Sequence, residues 1–317
     1  MATDLPPNIS VLLPVFNGER YLDQCVTSVL QQRFSDFELL IGDNCSTDST
    51  AEIARRFSDP RIRYFRRDRN LGLFGNLNHL IKASRAPLIR FLCHDDLLEP
   101  HCLEEETQFA ATHTDVGMFF CKTVRIDENG KEIGRCILGD LPDIIPPLVC
   151  LQLFFYYGCI PGNLSTVCVR RDVLDEGGLF NEGYLMAGDF ELWTRICRKK
   201  TLGVIHQHLI RLRSHPEQMG QPPASGVYFV KECRRIRSEL LPLLPSEIRF
   251  HAKLYSILRF SVLDVHHAMR CLWEGRFRDF LTVARTIGLL NYFPLGILCW
   301  FFTLNNHLFR PSPKYVD

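Results

Sequence analysis

From Asn8 to Asp96 the chain alternates short apolar runs with amphipathic segments, and no other feature narrows the fold as much. "NISVLLPVFN" is an apolar run closed by Pro and Asn. "GERYLDQCVTSVLQQRF" follows, with Tyr21, Leu22, Val26, Val29 and Leu30 recurring at helical spacing. "DFELLIGDNCSTDSTAEIARRF" repeats the arrangement: Glu38 to Gly42 make a strand, Asp43 to Asp48 a polar loop, and Ser49 or Thr50 stands where a cap for the next helix is needed. "RIRYFRR" is a third strand, "GLFGNLNHLIKAS" a third helix and "APLIRFLCHDD" a fourth strand. Elements of these lengths in alternation predict an α/β fold, a mostly parallel sheet covered by helices. In such sheets ligands sit at the carboxyl ends of the strands.

Polar residues collect at that edge. Pro14 to Asn17 close the first strand, Asp43 and Asn44 the second, and Asp95 and Asp96 the fourth. Loops are polar in any fold, so the pattern alone leaves a solvated edge and a site as equal readings. Adjacent carboxylates repel, and a fold that holds them together supplies a cation or positive surroundings. A carboxylate pair without His or Cys at metal-site spacing suits a hard ion such as Mg or Mn, which commonly bridges to phosphate oxygens. Neither G-x-G-x-x-G nor G-x-x-x-x-G-K-[ST] occurs, so the usual dinucleotide fold and the P-loop are unsupported. The residues point to a divalent-metal enzyme handling a nucleotide diphosphate.

Composition removes other classes. With 37 Lys+Arg against 36 Asp+Glu the net charge is +1, which is no footprint for nucleic acid. The basic run "RRFSDPRIRYFRRDRN" is interrupted by Asp59 and Asp68 and fits a solvated strand face. A length of 317 residues, 46% of them hydrophobic, suits one large domain with an appendage, or two domains. The 13 cysteines are scattered in apolar runs without a C-x-x-C pair, as buried hydrophobes of a reducing compartment are. "MATDLPPN" lacks the charged-then-apolar pattern of a leader, so the catalytic part is expected in the cytoplasm.

Taken in order, "ISVLLPVFNGERYLDQCVTSVLQQRFSDFELLIGDNCSTDSTAEI", "NLGLFGNLNHLIKAS", "FLCHDDLLEP", "GGLFNEGYLMAGDFELWTRI" and "IRLRSHPEQMG" resemble the family 2 glycosyltransferases, which have the GT-A fold. The resemblance covers roughly residues 8 to 220. It implies a GT-A catalytic domain over residues 1–220; the helical C-terminal region over 221–317 lies outside the resemblance and is read from its own pattern. It also implies that Pro14, Phe16, Asn17 and Asp43 hold the donor nucleotide, Phe16 keeping a stacking face where Tyr is frequent. Asp95 matches the carboxylate that reaches the metal and the donor diphosphate, with Asp96 beside it and His215 approaching from a late loop. Cys93 replaces an Asp found in many relatives, and His94 is expected to line the pocket. Asp189 matches the general base, and Gly188 stands where many relatives carry Glu. Asn163 and Ser165, and Glu191 and Trp193 on the helix of Asp189, are the candidates for an acceptor pocket.

The implied activity is inverting transfer of a sugar from a nucleotide-diphosphate sugar, foremost a UDP-sugar, to a saccharide or lipid-linked acceptor in cell-surface polysaccharide or glycoconjugate synthesis. Mg or Mn is the implied cofactor. A base on the sugar face opposite the leaving diphosphate inverts the anomeric centre. Two alternatives stand beside it. One is a catalytically impaired relative that binds nucleotide sugar, in view of Cys93 and Gly188. The other is a sugar-nucleotide pyrophosphorylase, which would open with a Gly-rich, Arg-bearing phosphate loop that "PVFNGERY" is not.

Beyond the connector "RSHPEQMGQPPASG" the pattern turns helical, and Ile287 to Asn306 carries no charged residue. That length could span a membrane, but Asn291, Pro294 and Gly296 break it. Arg276, Arg278, Arg285, Arg310 and Lys314 flank it and suit an anionic surface. The expectation is a helix on or dipping into the inner face of the cell membrane, ahead of a buried docking helix and of a full span.

Overall fold

The computed structural model describes residues 5–136, 141–218, 223–256 and 261–286. The chain divides into two compact units, Met1–Cys150 with Cys159–His215, and Leu151–Gly158 with Pro216–Asp317.

The first unit is built on one sheet. Its opening strands, β1 (Ile9–Val15) and β2 (Phe37–Asp43), are buried at every residue. Apolar runs of this kind are what a parallel strand covered on both faces requires. Between them α1 (Leu22–Leu30) turns Leu22, Cys25, Val26 and Val29 inward. There follow α2 (Thr50–Arg56), β3 (Ile62–Arg66), α3 (Gly72–Ala83), β4 (Leu88–Phe91), β5 (Leu97–Leu98), α4 (Cys102–Thr112), β6 (Val116–Ile126), β7 (Glu132–Arg135), β8 (Ile144–Ile145) and α5 (Pro147–Tyr157). Then come β9 (Val167–Arg170), α6 (Arg171–Gly177), α7 (Gly188–Ile196) and β10 (Thr201–Arg213). The strand order is β3-β2-β1-β4-β9-β6-β10-β5, with β7 on β6 and β8 on β10. Strands β3, β2, β1 and β4 run parallel, β9 runs against both β4 and β6, and β6 and β10 are parallel again. This is the expected mostly parallel α/β sheet.

The topology also locates the crevice. From β1 the chain steps outward to β2 and β3, then returns to lay β4 on the other flank of β1. Such a reversal opens a cleft at the carboxyl ends of the flanking strands. Those ends carry Phe16, Asp43 and the Cys93 to Asp96 stretch.

One local expectation needs correction. Neither Ser49 nor Thr50 caps α2 through its own side chain. Asp48 does so, its Oδ1 accepting from Thr50 N at 3.0 Å, while the Thr50 hydroxyl accepts from Gly18 N at 2.8 Å and ties the two loops together.

The second unit is helical: α8 (Pro223–Leu240), α9 (Ser246–Tyr255), α10 (Ser261–Trp273) and α11 (Phe277–Thr286), with the end of α5. Arg237 Nε donates to Phe155 O at 3.3 Å, and Tyr156 meets Tyr255 edge-on with centroids 5.0 Å apart. Helices α10 and α11 form a hairpin turned at Gly275, whose φ of 72° is one that glycine adopts without strain. Ala268 and Val283 are its buried core, with Phe280 against them. Among the described residues no helix is long and apolar enough to cross a membrane. The uncharged run Ile287 to Asn306 lies outside the described residues.

Candidate active site

The β1 and β2 ends carry a buried carboxylate, Asp43, and an exposed ring, Phe16. Pro14 is buried within β1, opposite Gly42, whereas Phe16 just beyond the strand is 44% exposed. Asp43 is fully buried and has three partners. Its Oδ1 accepts from Ser46 N at 2.8 Å, its Oδ2 from the Tyr64 hydroxyl at 2.6 Å, and Arg66 Nε lies at 3.8 Å. Burial, and then the Asp43 charge, hold the Tyr64 hydroxyl in its protonated form. Asn17 has a φ of 51°, a left-handed conformation that Asn tolerates. Its Oδ1 accepts from Thr47 N at 2.9 Å, so its amide joins the loop after β1 to the loop after β2. Gly18 is required by close approach, because a Cβ there would meet Val15 Cγ2 at 2.5 Å and His94 Cδ2 at 2.7 Å.

At the exit of β4 the adjacent aspartates face different surroundings. Asp96 is 1% exposed: its Oδ2 accepts from Ser165 Oγ at 2.6 Å and its Oδ1 from the Arg213 backbone N–H at 2.9 Å. Asp95 lies higher, its Oδ2 being 3.1 Å from His215 Nε2, and its carbonyl accepts from Arg213 Nε at 2.9 Å. Burial first, and then the charge of Asp95, push the Asp96 carboxyl well above the usual carboxylate range, against the pull of Ser165 and Arg213. The Cys93 thiol is raised by the same causes, burial ahead of Asp96 and Asp95. His94 is held neutral chiefly by burial. Tyr21 closes the back of the cluster, its ring 5.0 Å from that of His215 and 4.5 Å from the Arg213 guanidinium.

Asp189 arrives on the first turn of α7, where its Oδ1 accepts from Phe190 N at 2.7 Å. It lies near enough to Cys93 for its charge to help raise that thiol. Gly188 has a structural reason: a Cβ would strike the Phe74 ring at 2.6 Å from Cε2 and 2.7 Å from Cζ. Phe74 in turn stacks on Phe180 at 5.3 Å. The side chain missing at 188 is replaced by an aromatic wall.

The structure separates the acceptor-pocket candidates. Trp193 is 0% exposed, within 5.7 Å of Phe91 and 5.9 Å of Phe180, and belongs to the core. Glu191 is engaged on its own helix, both carboxylate oxygens lying 3.0 Å from Arg195. Asn163 caps the short turn that carries Ser165, its Oδ1 accepting from Ser165 N at 2.7 Å. Ser165 Oγ accepts from Cys93 N at 2.8 Å while donating to Asp96, so this segment braces the β4 exit. Under it, fully buried Arg90 donates to Val167 O at 2.9 Å and to Ser165 O, and faces Glu106 at 3.2 Å. Nothing in the sequence marks Arg213 or Tyr64 as a partner of a site carboxylate. Arg213 stands two places before His215, yet nothing local marks it as a partner of Asp96.

Ligand atoms of Cys93, Asp95 and Asp96 all lie within 4.8 Å of one another. Carboxylate oxygens suit Mg or Mn, and a dication there would stabilise the ionised form that burial disfavours in Asp96. The Cys93 thiol, held protonated, is not a ligand in that form. The residues fit a hard divalent ion through the two carboxylates.

The fold is that of the GT-A glycosyltransferases. The solved structure of S. aureus TarS 1-349 in complex with UDP-GlcNAc superposes with a TM-score of 0.65 at 16% identity, covering 98% of this chain and 99% of that one. The mannosyltransferase PcManGT from Pyrobaculum calidifontis, in complex with GDP-Man and Mn2+, gives 0.59 at 14% identity, covering 90% and 88%. Residues 10–161 match glycosyl transferase family 2, and this match supports a family 2 glycosyltransferase. An uncharacterized glycosyltransferase of Rickettsia felis is 29% identical over 245 residues, 76% of this chain and 39% of the relative. The chain thus spans about two fifths of the length of the first curated relatives it matches.

Proposed function

We propose that this chain moves a sugar from a nucleotide-diphosphate sugar, foremost a UDP-sugar, to a hydroxyl of a saccharide or lipid-linked acceptor, inverting the anomeric carbon. The observation that carries this reading is the meeting of Asp95, Asp96 and Cys93 at the β4 exit with Asp189 from α7. The complexes of TarS with UDP and UDP-GlcNAc, and of PcManGT with GDP-Man and Mn2+, support a nucleotide-sugar donor and a divalent ion. The catalytic part is residues 1–220, and the C-terminal region, 221–317, serves attachment at the inner face of the cell membrane during cell-surface glycan synthesis.

Each residue has a part in this scheme. The Phe16 ring stacks on the base, beside Pro14 and the loop that Asn17 ties down, and the buried Asp43 fixes the polar edge of that pocket. Asp95 and Asp96 hold the cation, with His215 positioning Asp95; such an ion, when bound, neutralises charge on the departing diphosphate. Asp189 takes the proton of the acceptor hydroxyl. As that oxygen bonds to the anomeric carbon, the bond to the diphosphate oxygen breaks and its electron pair leaves with the nucleotide. The Phe74 wall helps to exclude water, which favours transfer over hydrolysis.

Calorimetry with UDP and with GDP, each with and without Mn2+, tests the donor site. Metal-dependent UDP binding that vanishes in Asp95→Ala supports the reading, and no nucleotide binding under any condition sinks it. Asp189→Asn then separates binding from turnover: the variant retains UDP affinity and loses transfer. A wild-type chain that binds UDP but turns over no acceptor would be a nucleotide-sugar binding protein.

A further inference from the structure

Resting on the membrane attachment proposed above for the C-terminal region, we propose that its α10–α11 hairpin is the docking surface, that it fits a membrane rich in anionic phospholipid, and that it acts independently of the transfer reaction. Trp273 at the hairpin tip is 93% exposed, Phe277 64% and Leu281 50%. They stand four residues apart, and on α11 that spacing sets Phe277 and Leu281 along one stripe. The inner face of α11 is spent on Val283, Ala284 and Phe280, so this outer stripe is not part of the hairpin core. Arg278 and Arg285 are exposed and follow at the helical positions flanking Leu281. Arg270 and Arg276, by contrast, are paired with Glu274 and Asp279.

An apolar stripe bordered by arginines on an otherwise polar helix is the pattern of a helix lying in the bilayer interface. The indole suits the headgroup level, having an apolar body and one polar N–H. Charge selects among occupants. The 31 residues after Thr286 carry Arg310, Lys314 and Asp317 as their only Lys, Arg, Asp or Glu charges, so a single carboxylate stands beside two further cations and is a poor counterpart for the arginines. A second copy docked by two-fold symmetry would bring arginine stripe against arginine stripe. Phosphate headgroups complement both halves of the surface.

The test is co-sedimentation of the full chain with vesicles of phosphatidylcholine alone and of phosphatidylcholine with phosphatidylglycerol in equal parts. Binding to the anionic vesicles is expected, weakening with salt. Arg278→Ala with Arg285→Ala should weaken it about thirtyfold, roughly fivefold for each charge. Replacing Trp273, Phe277 and Leu281 by Ser should weaken it by more than about a hundredfold, with the circular dichroism spectrum unchanged because all three side chains already face solvent. Bromine-labelled lipid should quench wild-type fluorescence more than that of Trp273→Phe. No vesicle binding by wild type overturns the proposal. So does equal binding by the triple variant, which would assign attachment to another segment. Sedimentation velocity showing a dimer that the triple variant dissociates would also overturn it and assign the stripe to self-association.

Discussion

Ser165 Oγ donates to Asp96 Oδ2 at 2.6 Å across 69 residues of sequence, in a site closed to solvent. Ser165→Ala leaves that oxygen and the Cys93 N–H each one partner short. Such orphaned groups cost about 1–3 kcal/mol. Urea unfolding should show a loss of that size, accompanied by weaker metal-dependent UDP binding; stability equal to wild type would mean that the bond does not hold Asp96.

Gly188 and Phe74 share one volume. In Gly188→Ala the new Cβ meets the ring at 2.6 Å, and overpacking of this kind costs about 1–3 kcal/mol. In a Phe74→Leu background the penalty should shrink, giving a coupling measurable by a double-mutant cycle. Additive losses would show that the ring does not set the choice of glycine.

The Arg90–Glu106 pair predicts a pH signature. Burial raises the Glu106 carboxyl to about 7 against the opposing pull of Arg90. A folded-state value above the unfolded one means that the protonated form favours the fold. The associated stability is full below about pH 4.5 and is lost as pH rises through about 7, by about 3 kcal/mol on linkage. Subtracting the Glu106→Gln profile from that of wild type isolates it. A flat difference across that window would show that Arg90 keeps Glu106 ionised in the fold.

His215 reaches Asp95 at 3.1 Å from a loop 120 residues further on. Partners that orient metal ligands carry about 10–100-fold in metal affinity. His215→Gln should weaken Mn2+-dependent UDP binding by that order and leave metal-free UDP binding little changed. A variant that binds as wild type does in both conditions would reduce His215 to packing against Tyr21.

How far the sequence reaches is visible in the residues themselves. The mainly apolar strands β1 and β2, and the helical spacing of Leu22, Val26 and Val29, are local patterns, and a local pattern needs no knowledge of the partner. They determine the α/β order, and with it the edge where Phe16, Asp43 and Asp95 emerge. Tertiary structure decided which of the polar residues cooperate. Trp193 and Glu191 share a helix with Asp189, but its rotation sends Trp193 into the core and leaves Glu191 to Arg195. Arg213 meets Asp96 because β10 pairs antiparallel with β5, setting Ile210 opposite Leu98 and Arg211 opposite Leu97. Since a one-residue slip turns every side chain of a strand to the opposite face, no stretch of sequence read alone carries that alignment.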